Sequence, residues 1–196
     1  MWPWEHAVLG YVAYSLVCRA IFRDTPRVAG AVVVVFASVL PDLIDKPLAW
    51  SVGVFETGYA LAHSLFFAVP LAVGVAVVSR WLGRTRLGVA FVVGYLLHPP
   101  ADVFHHYAEG GGLHPEIMLW PIATYEARTP DDGFVVESAN RVLQYGRDLA
   151  AGEITTYAWL QFGLFGCAVV LWVADGMPIL RETVEWLGRK FSRNRR

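Results

Sequence analysis

Residues 28–45 read VAGAVVVVFASVLPDLID, an apolar run whose only hydroxyl is Ser38 and which ends at Pro41 in two aspartates, Asp42 and Asp45. Crossing a bilayer as a helix takes about 20 largely apolar residues. This run reaches that length only by taking in polar residues at its end, or by stopping below the membrane surface. The other candidate runs are 7–22, 59–78, 87–97 and 154–174, of which 87–97 is short in the same way. The five together predict an all-α integral membrane helical bundle, with four core transmembrane helices and a fifth, C-terminal span. Composition agrees. Of 196 residues, 56% are hydrophobic and 17% charged, against about 45–50% and about 25% in soluble domains. A disordered chain, a basic nucleic-acid-binding domain and a disulfide scaffold are excluded. Cys18 and Cys167 sit inside apolar runs and read as small hydrophobes.

The chain then divides into four parts. Residues 1–98 form a four-span core, and 99–153 an extracytoplasmic helical region completing the site. Residues 154–176 form the fifth span, and 177–196 a basic amphipathic cytoplasmic tail. If the runs alternate in direction, one side receives Arg19, Arg23, Arg27, Arg80, Arg84, Arg86, Arg181, Arg189, Lys190, Arg193, Arg195 and Arg196. The other side holds Lys46, Arg128, Arg141 and Arg147. Positive charge marks the cytoplasmic side, so the N-terminus and residues 98–153 are expected outside an inner (plasma) membrane. Trp2 and Trp4 read as interfacial anchors. Val135, Val136, Ala139, Val142, Leu143 and Leu149 recur at helical spacing, which predicts an amphipathic helix in the outer region.

In such a bundle the starts of odd spans and the ends of even spans share one face. His6, Asp42, Asp45, His63, His98 and Asp102 therefore converge on the outer end. Ionisable residues at membrane depth are expensive and mark functional sites by default. Imidazole and carboxylate form a nitrogen–oxygen donor set suited to zinc, manganese or iron. His98 and Asp102, four apart, stack on one helix face. Pro99 and Pro100 predict a break after His98, with a new helix carrying Asp102 together with His105 or His106. Glu5, Glu56 and Glu116 read either as supporting groups or as solvated loop charges. Lys46 reads as a counter-charge to the aspartates or as an interface marker. Ser64, next to a proposed ligand, reads as a contact for a substrate oxygen or as a helix-surface hydroxyl.

Assembled in order, the motifs are His6-Ala-Val-Leu-Gly10, Leu40-Pro-Asp-Leu-Ile-Asp45, Ala62-His63-Ser64, Gly94-Tyr-Leu-Leu-His98-Pro-Pro-Ala-Asp102 and Leu119-Trp120-Pro121. Over roughly residues 1–125 this pattern resembles the YdjM-like family of membrane-bound metal-dependent hydrolases, whose naming includes binding to the repressor LexA. It departs from that family in spacing its aspartates by two residues, in carrying Glu56-Thr57-Gly58-Tyr59 where a His-Arg commonly stands before Thr-His-Ser, and in its Pro99-Pro100 pair. The ligand order is also similar to that of zinc-dependent phospholipases C and single-strand nucleases. That similarity implies His6, Asp42 or Asp45, His63, His98 and Asp102 as metal ligands, with His106, His114 and Glu116 as further ones. It implies one or two divalent ions, zinc first.

The expected function is a membrane-bound metal-dependent hydrolase of phosphate esters, with a phospholipid-like substrate favoured. Asp42 or Asp45 would bridge metals or act as general base. The expected partners are membrane lipid and a small phosphate ester, with no nucleic acid. The alternative is a non-catalytic membrane protein that binds metal or a partner. With the site outside, a cytoplasmic partner would meet only the tail. Haem is disfavoured by the aspartates, and a transport path by the absence of ionisable residues at mid-span.

Overall fold

The computed structural model of the chain describes residues 1–127 and 129–184, and among these it is all-helical, with no strand. Six α-helices run in order: α1 (Pro3–Val17), α2 (Val28–Pro47), α3 (Leu65–Trp81), α4 (Thr85–Ala108), α5 (Gly133–Ala150) and α6 (Thr156–Ala174). Single π-helical turns, Cys18–Phe22 and Leu48–Val52, continue α1 and α2. Three segments are long and apolar enough to span a membrane: Val28–Val52, Thr85–Ala108 and Thr156–Ala174. The apolar α3 is shorter. Both runs that looked short in sequence gain their length by taking in the polar residues at their ends, Asp42 with Asp45 and His98 with Asp102.

Two sequence expectations are corrected. No break follows His98, because α4 continues through Pro99 and Pro100 to Ala108. Proline removes a ladder hydrogen bond without always ending a helix, and here Pro99 and Ala101 are buried in the bundle. The third run does not become helical at Tyr59. Its helix starts only after Ser64, whose hydroxyl accepts the Phe66 amide as N-cap. The basic tail falls largely on residues 185–196, outside the described residues, as does Arg128.

Packing is inverted relative to a soluble bundle. The core is built from small residues and a few tyrosines: Ala31, Val34, Ala37, Ala68, Ala90, Tyr11, Tyr14 and Tyr95. Helix α3 buries only Ala68 and Ala72, while Phe66, Val69, Val73 and Val77 face outward. Helix α6 buries Ala158, Gln161 and Ala168, and exposes Phe162, Val169, Val170 and Val173. Lipid tails cover large apolar side chains without penalty, and small residues let helix backbones approach closely. Helix α4 packs against α1, α2 and α3, and α6 leans on α1.

Two polar clamps fasten α6 to α1. At one end the buried Glu5 carboxylate accepts from Tyr157 Oη (2.9 Å), from the Gln161 amide and, at 2.7 Å, from the Trp2 backbone N–H. At the other end Asp175 accepts from Tyr11 (2.8 Å), Ser15 (2.7 Å) and Arg19 (2.6 Å). Between α2 and α4 the approach depends on Gly94, where a Cβ would lie 2.6 Å from the Val34 carbonyl oxygen and 3.0 Å from the Ser38 nitrogen. Neither backbone atom can move without shifting a helix. Gly94→Ala is therefore expected to destabilise the protein by about 1–3 kcal/mol, read as a lowered thermal midpoint in detergent. Gly74→Ala, which meets nothing within 4 Å, should leave the midpoint unchanged.

Candidate metal centre

At one end of the bundle four side chains point inward from three segments. Helix α2 presents Asp42 and α4 presents His98 and Asp102 one turn apart, while His63 comes from the irregular connection before α3. Each offers one donor atom, all four atoms lie within 4.8 Å of one another, and all four residues are buried.

The outer nitrogen of each ring fixes its tautomer. His63 Nδ1 lies 2.8 Å from Asp45 Oδ2, and His98 Nδ1 meets the Ser38 carbonyl oxygen. Both partners only accept, so both Nδ1 atoms donate. In the neutral rings this leaves each Nε2 as a bare lone pair. Those two lone pairs face each other at 3.1 Å. His63 Nε2 stands 3.4 Å from Asp42 Oδ1 and 3.5 Å from Asp102 Oδ2, and His98 Nε2 stands 3.6 Å and 3.3 Å from the same two oxygens. A tetrahedral ion with bonds of about 2.1 Å separates its ligand atoms by about 3.4 Å. Five of the six edges here, 3.1–3.6 Å, cluster around that length.

Donor atoms at the spacing of a coordination shell and out of water form a group that could hold a metal ion. Of the two facing oxygens, Asp102 Oδ2 accepts no hydrogen bond, although buried carboxylates ordinarily do, while Asp42 Oδ1 is met by Lys46. Burial works against an imidazolium at His63, yet hydrogen bonds to Asp102, Asp42 and Asp45 outweigh it and raise the ring to about 10. The donor set fits a divalent ion, which two carboxylates and two neutral imidazoles would balance in charge.

The surroundings hold this arrangement in place. Asp45 does not face the other donors. It accepts from the amides of Ala60 (2.9 Å), Ala62 (3.0 Å) and His63 (3.1 Å) as well as from the His63 ring. A carboxylate behind a ligating histidine orients the ring and raises its basicity. The amides it gathers also explain why residues 60–63 are not helical. Tyr95 Oη donates to the Ala62 carbonyl (3.0 Å), tying the same loop to α4. Lys46 Nζ lies 2.6 Å from Asp42 Oδ1, so the lysine is a counter-charge to that aspartate.

The remaining candidates stand beside the group or away from it. His6 is buried and stacks on His98, with ring centroids 3.6 Å apart, and its Nε2 lies 3.2 Å from Asp102 Oδ1. Its Nδ1 has no hydrogen-bond partner. The other Asp102 oxygen faces the four-atom group, so Asp102 lies between that group and His6. Ser64 donates to the Trp120 carbonyl, which commits its hydroxyl to a loop contact. His114 pairs with Glu116 (2.8 Å) and with the Gly111 carbonyl (2.7 Å). The hydrogen bond to Glu116 raises the half-buried His114 above its ordinary value. His105 pairs with Glu109 at 3.2 Å. His106 packs on Tyr125 and Tyr59. None of these joins the group formed by the described residues. Sequence reasoning missed Tyr59, whose ring packs edge-on against His63 at 5.0 Å. It also missed Ser38 and Tyr95, whose contributions run through backbone carbonyls that no motif encodes.

A family model described as YdjM inner membrane protein matches residues 1–176. The chain belongs to that family, and with its long apolar helices it is a membrane protein. No curated protein and no solved structure matches it.

Replacing Asp45 by asparagine removes the charge behind His63 while leaving all four facing donors in place. The expected result is a fall of about 10–100-fold in metal affinity with the ion still bound, read by competition against a chromogenic chelator. Unchanged affinity would contradict the orienting role.

Proposed function

We propose that this member of the YdjM inner membrane protein family is a metal-dependent hydrolase of phosphate esters, with a phospholipid-like substrate. The observation that carries the reading is the set of near-equal distances among the donor atoms of Asp42, His63, His98 and Asp102. Those edges match a tetrahedral ion, and zinc is the first choice. When bound, such an ion would supply Lewis acidity to a phosphoryl oxygen and to the attacking water.

The chain's own residues divide the other tasks. Asp45 has its oxygens committed to three amides and a ring, so its part is to hold His63 in register. Asp42 Oδ2 has no hydrogen-bond partner, and it is the better general base for the water. His6, stacked on His98 with Nε2 3.2 Å from Asp102 Oδ1, is placed to bind a second ion with Asp102 or to receive a proton. In the proposed topology α1 to α4 form the core spans and α6 the fifth, with the donor group at the outer end and the basic residues inside. A site at that depth meets a lipid headgroup without extracting the lipid from the bilayer.

The burial of all four donors favours a second reading, in which the ion is structural, because structural sites are closed whereas catalytic ones keep an open position. One experiment separates the two. Purified protein, stripped by chelator and reloaded with zinc or manganese, is assayed on bis(p-nitrophenyl) phosphate and on a short-chain phospholipid. The hydrolase reading predicts turnover lost on stripping and restored on reloading, and reduced by about 100-fold or more in Asp42→Asn. A protein whose melting temperature depends on metal, but which turns over neither substrate, would favour the structural reading.

A further inference from the structure

Helix α5 divides its surface into three faces. Phe134, Ser138 and Tyr145 share the half-buried face that meets the bundle. The Phe134 ring lies 6.1 Å from that of Trp50, and the Phe134 amide donates to Ser51 Oγ (3.0 Å). Tyr145 packs on Trp2 at 5.2 Å and donates to Gln161 (2.7 Å). A second face carries Asn140, Gln144 and Arg147, all exposed. The third carries Val135, Val136, Val142 and Leu143, which are 45–75% exposed. An amphipathic helix on a soluble domain turns its apolar face to the core. This one turns a polar and aromatic face to the bundle and leaves its apolar face outward.

Its position says what covers that face. Trp2, Trp4 and Trp50, against which α5 rests, are residues of the kind that gather at the headgroup level of a membrane protein. They belong to the end of the bundle that carries the metal donors: Trp2 and Trp4 flank the start of α1 beside His6, and Trp50 follows Asp45. Helix α6, which begins a few residues after α5, exposes Trp159, Leu160 and Phe162 at this same end. The outward apolar surface of α5 thus lies at the same end of the bundle as exposed apolar residues of α6.

We propose that α5 lies in the plane of the headgroup layer, with Val135, Val142 and Leu143 on the acyl chains, Asn140, Gln144 and Arg147 in water, and Trp2, Trp50 and Tyr145 behind it. Its charges cancel, Glu137 and Asp148 against Arg141 and Arg147, so the contact is with zwitterionic lipid and needs no anionic surface. The helix then fixes the depth of the bundle and holds the donor group at the level of the headgroups. This placement stands whether the metal centre is catalytic or structural.

The test uses the full-length protein with Cys18→Ala and Cys167→Ala, carrying one nitroxide-labelled cysteine at position 135, 140, 143 or 144, in phosphatidylcholine vesicles. Power-saturation resonance measures the accessibility of each label to oxygen, which concentrates in lipid, and to a water-soluble nickel chelate. The proposal predicts an oxygen-to-nickel ratio several-fold higher at 135 and 143 than at 140 and 144. Equal access of the nickel chelate to both faces would overturn it. Shielding of 135 and 143 from both reagents, with spin–spin broadening, would overturn it in favour of a second copy of the chain on that face.

Discussion

Moving a carboxylate from water into an apolar interior costs several kcal/mol even after the surroundings relax, and this chain buries Asp42, Asp45 and Asp102 together at one end of a membrane bundle. Each has drawn structure around itself. Asp45 gathers three amides and the His63 ring, which unwinds residues 60–63 and delays the start of α3 to Leu65. Asp42 takes the Lys46 ammonium one turn along α2. Asp102 holds the Met1 amine at 2.7 Å and stands against His6. The Asp42 oxygen that Lys46 meets, and the second oxygen of Asp102, also face the paired histidine nitrogens. Together with the two imidazoles they form a group that could hold a metal ion.

The inverted packing makes this convergence possible. Donors separated by sixty positions in the sequence meet only if α2 and α4 touch backbone to backbone. Gly94 against Val34 and Ser38 allows that. Gly10, facing Ser38 from α1, brings the third helix to the same point. The large side chains that a soluble bundle would bury there are displaced outward, where lipid covers them. The catalytic reading and the membrane location thus share a structural cause: a tight interior of small residues and a greasy exterior.

Much of this was legible in the sequence. Apolar runs with polar ends gave the helices, and the alternation of a bundle placed His63 beside Asp42 and His98 beside Asp102. What the sequence did not separate was Asp42 from Asp45. Both follow Pro41 on one helix, and only the loop amides decide that Asp45 turns away to hold His63. The Pro99–Pro100 pair misled for a related reason, since local rules price the lost hydrogen bonds but not the burial that keeps α4 continuous. His106, His114 and Glu116 have donor chemistry suited to a metal site, yet their partners in the fold are Tyr125, Gly111 and one another.

The central claim is that these four side chains bind a metal ion, and metal content per chain measures it most directly. Protein purified in detergent without added chelator, wild type beside His98→Ala, is analysed by mass spectrometry for zinc, manganese and iron. The account predicts about one ion or more per wild-type chain, lost in the variant. A wild-type chain that is folded and free of all three metals would contradict it.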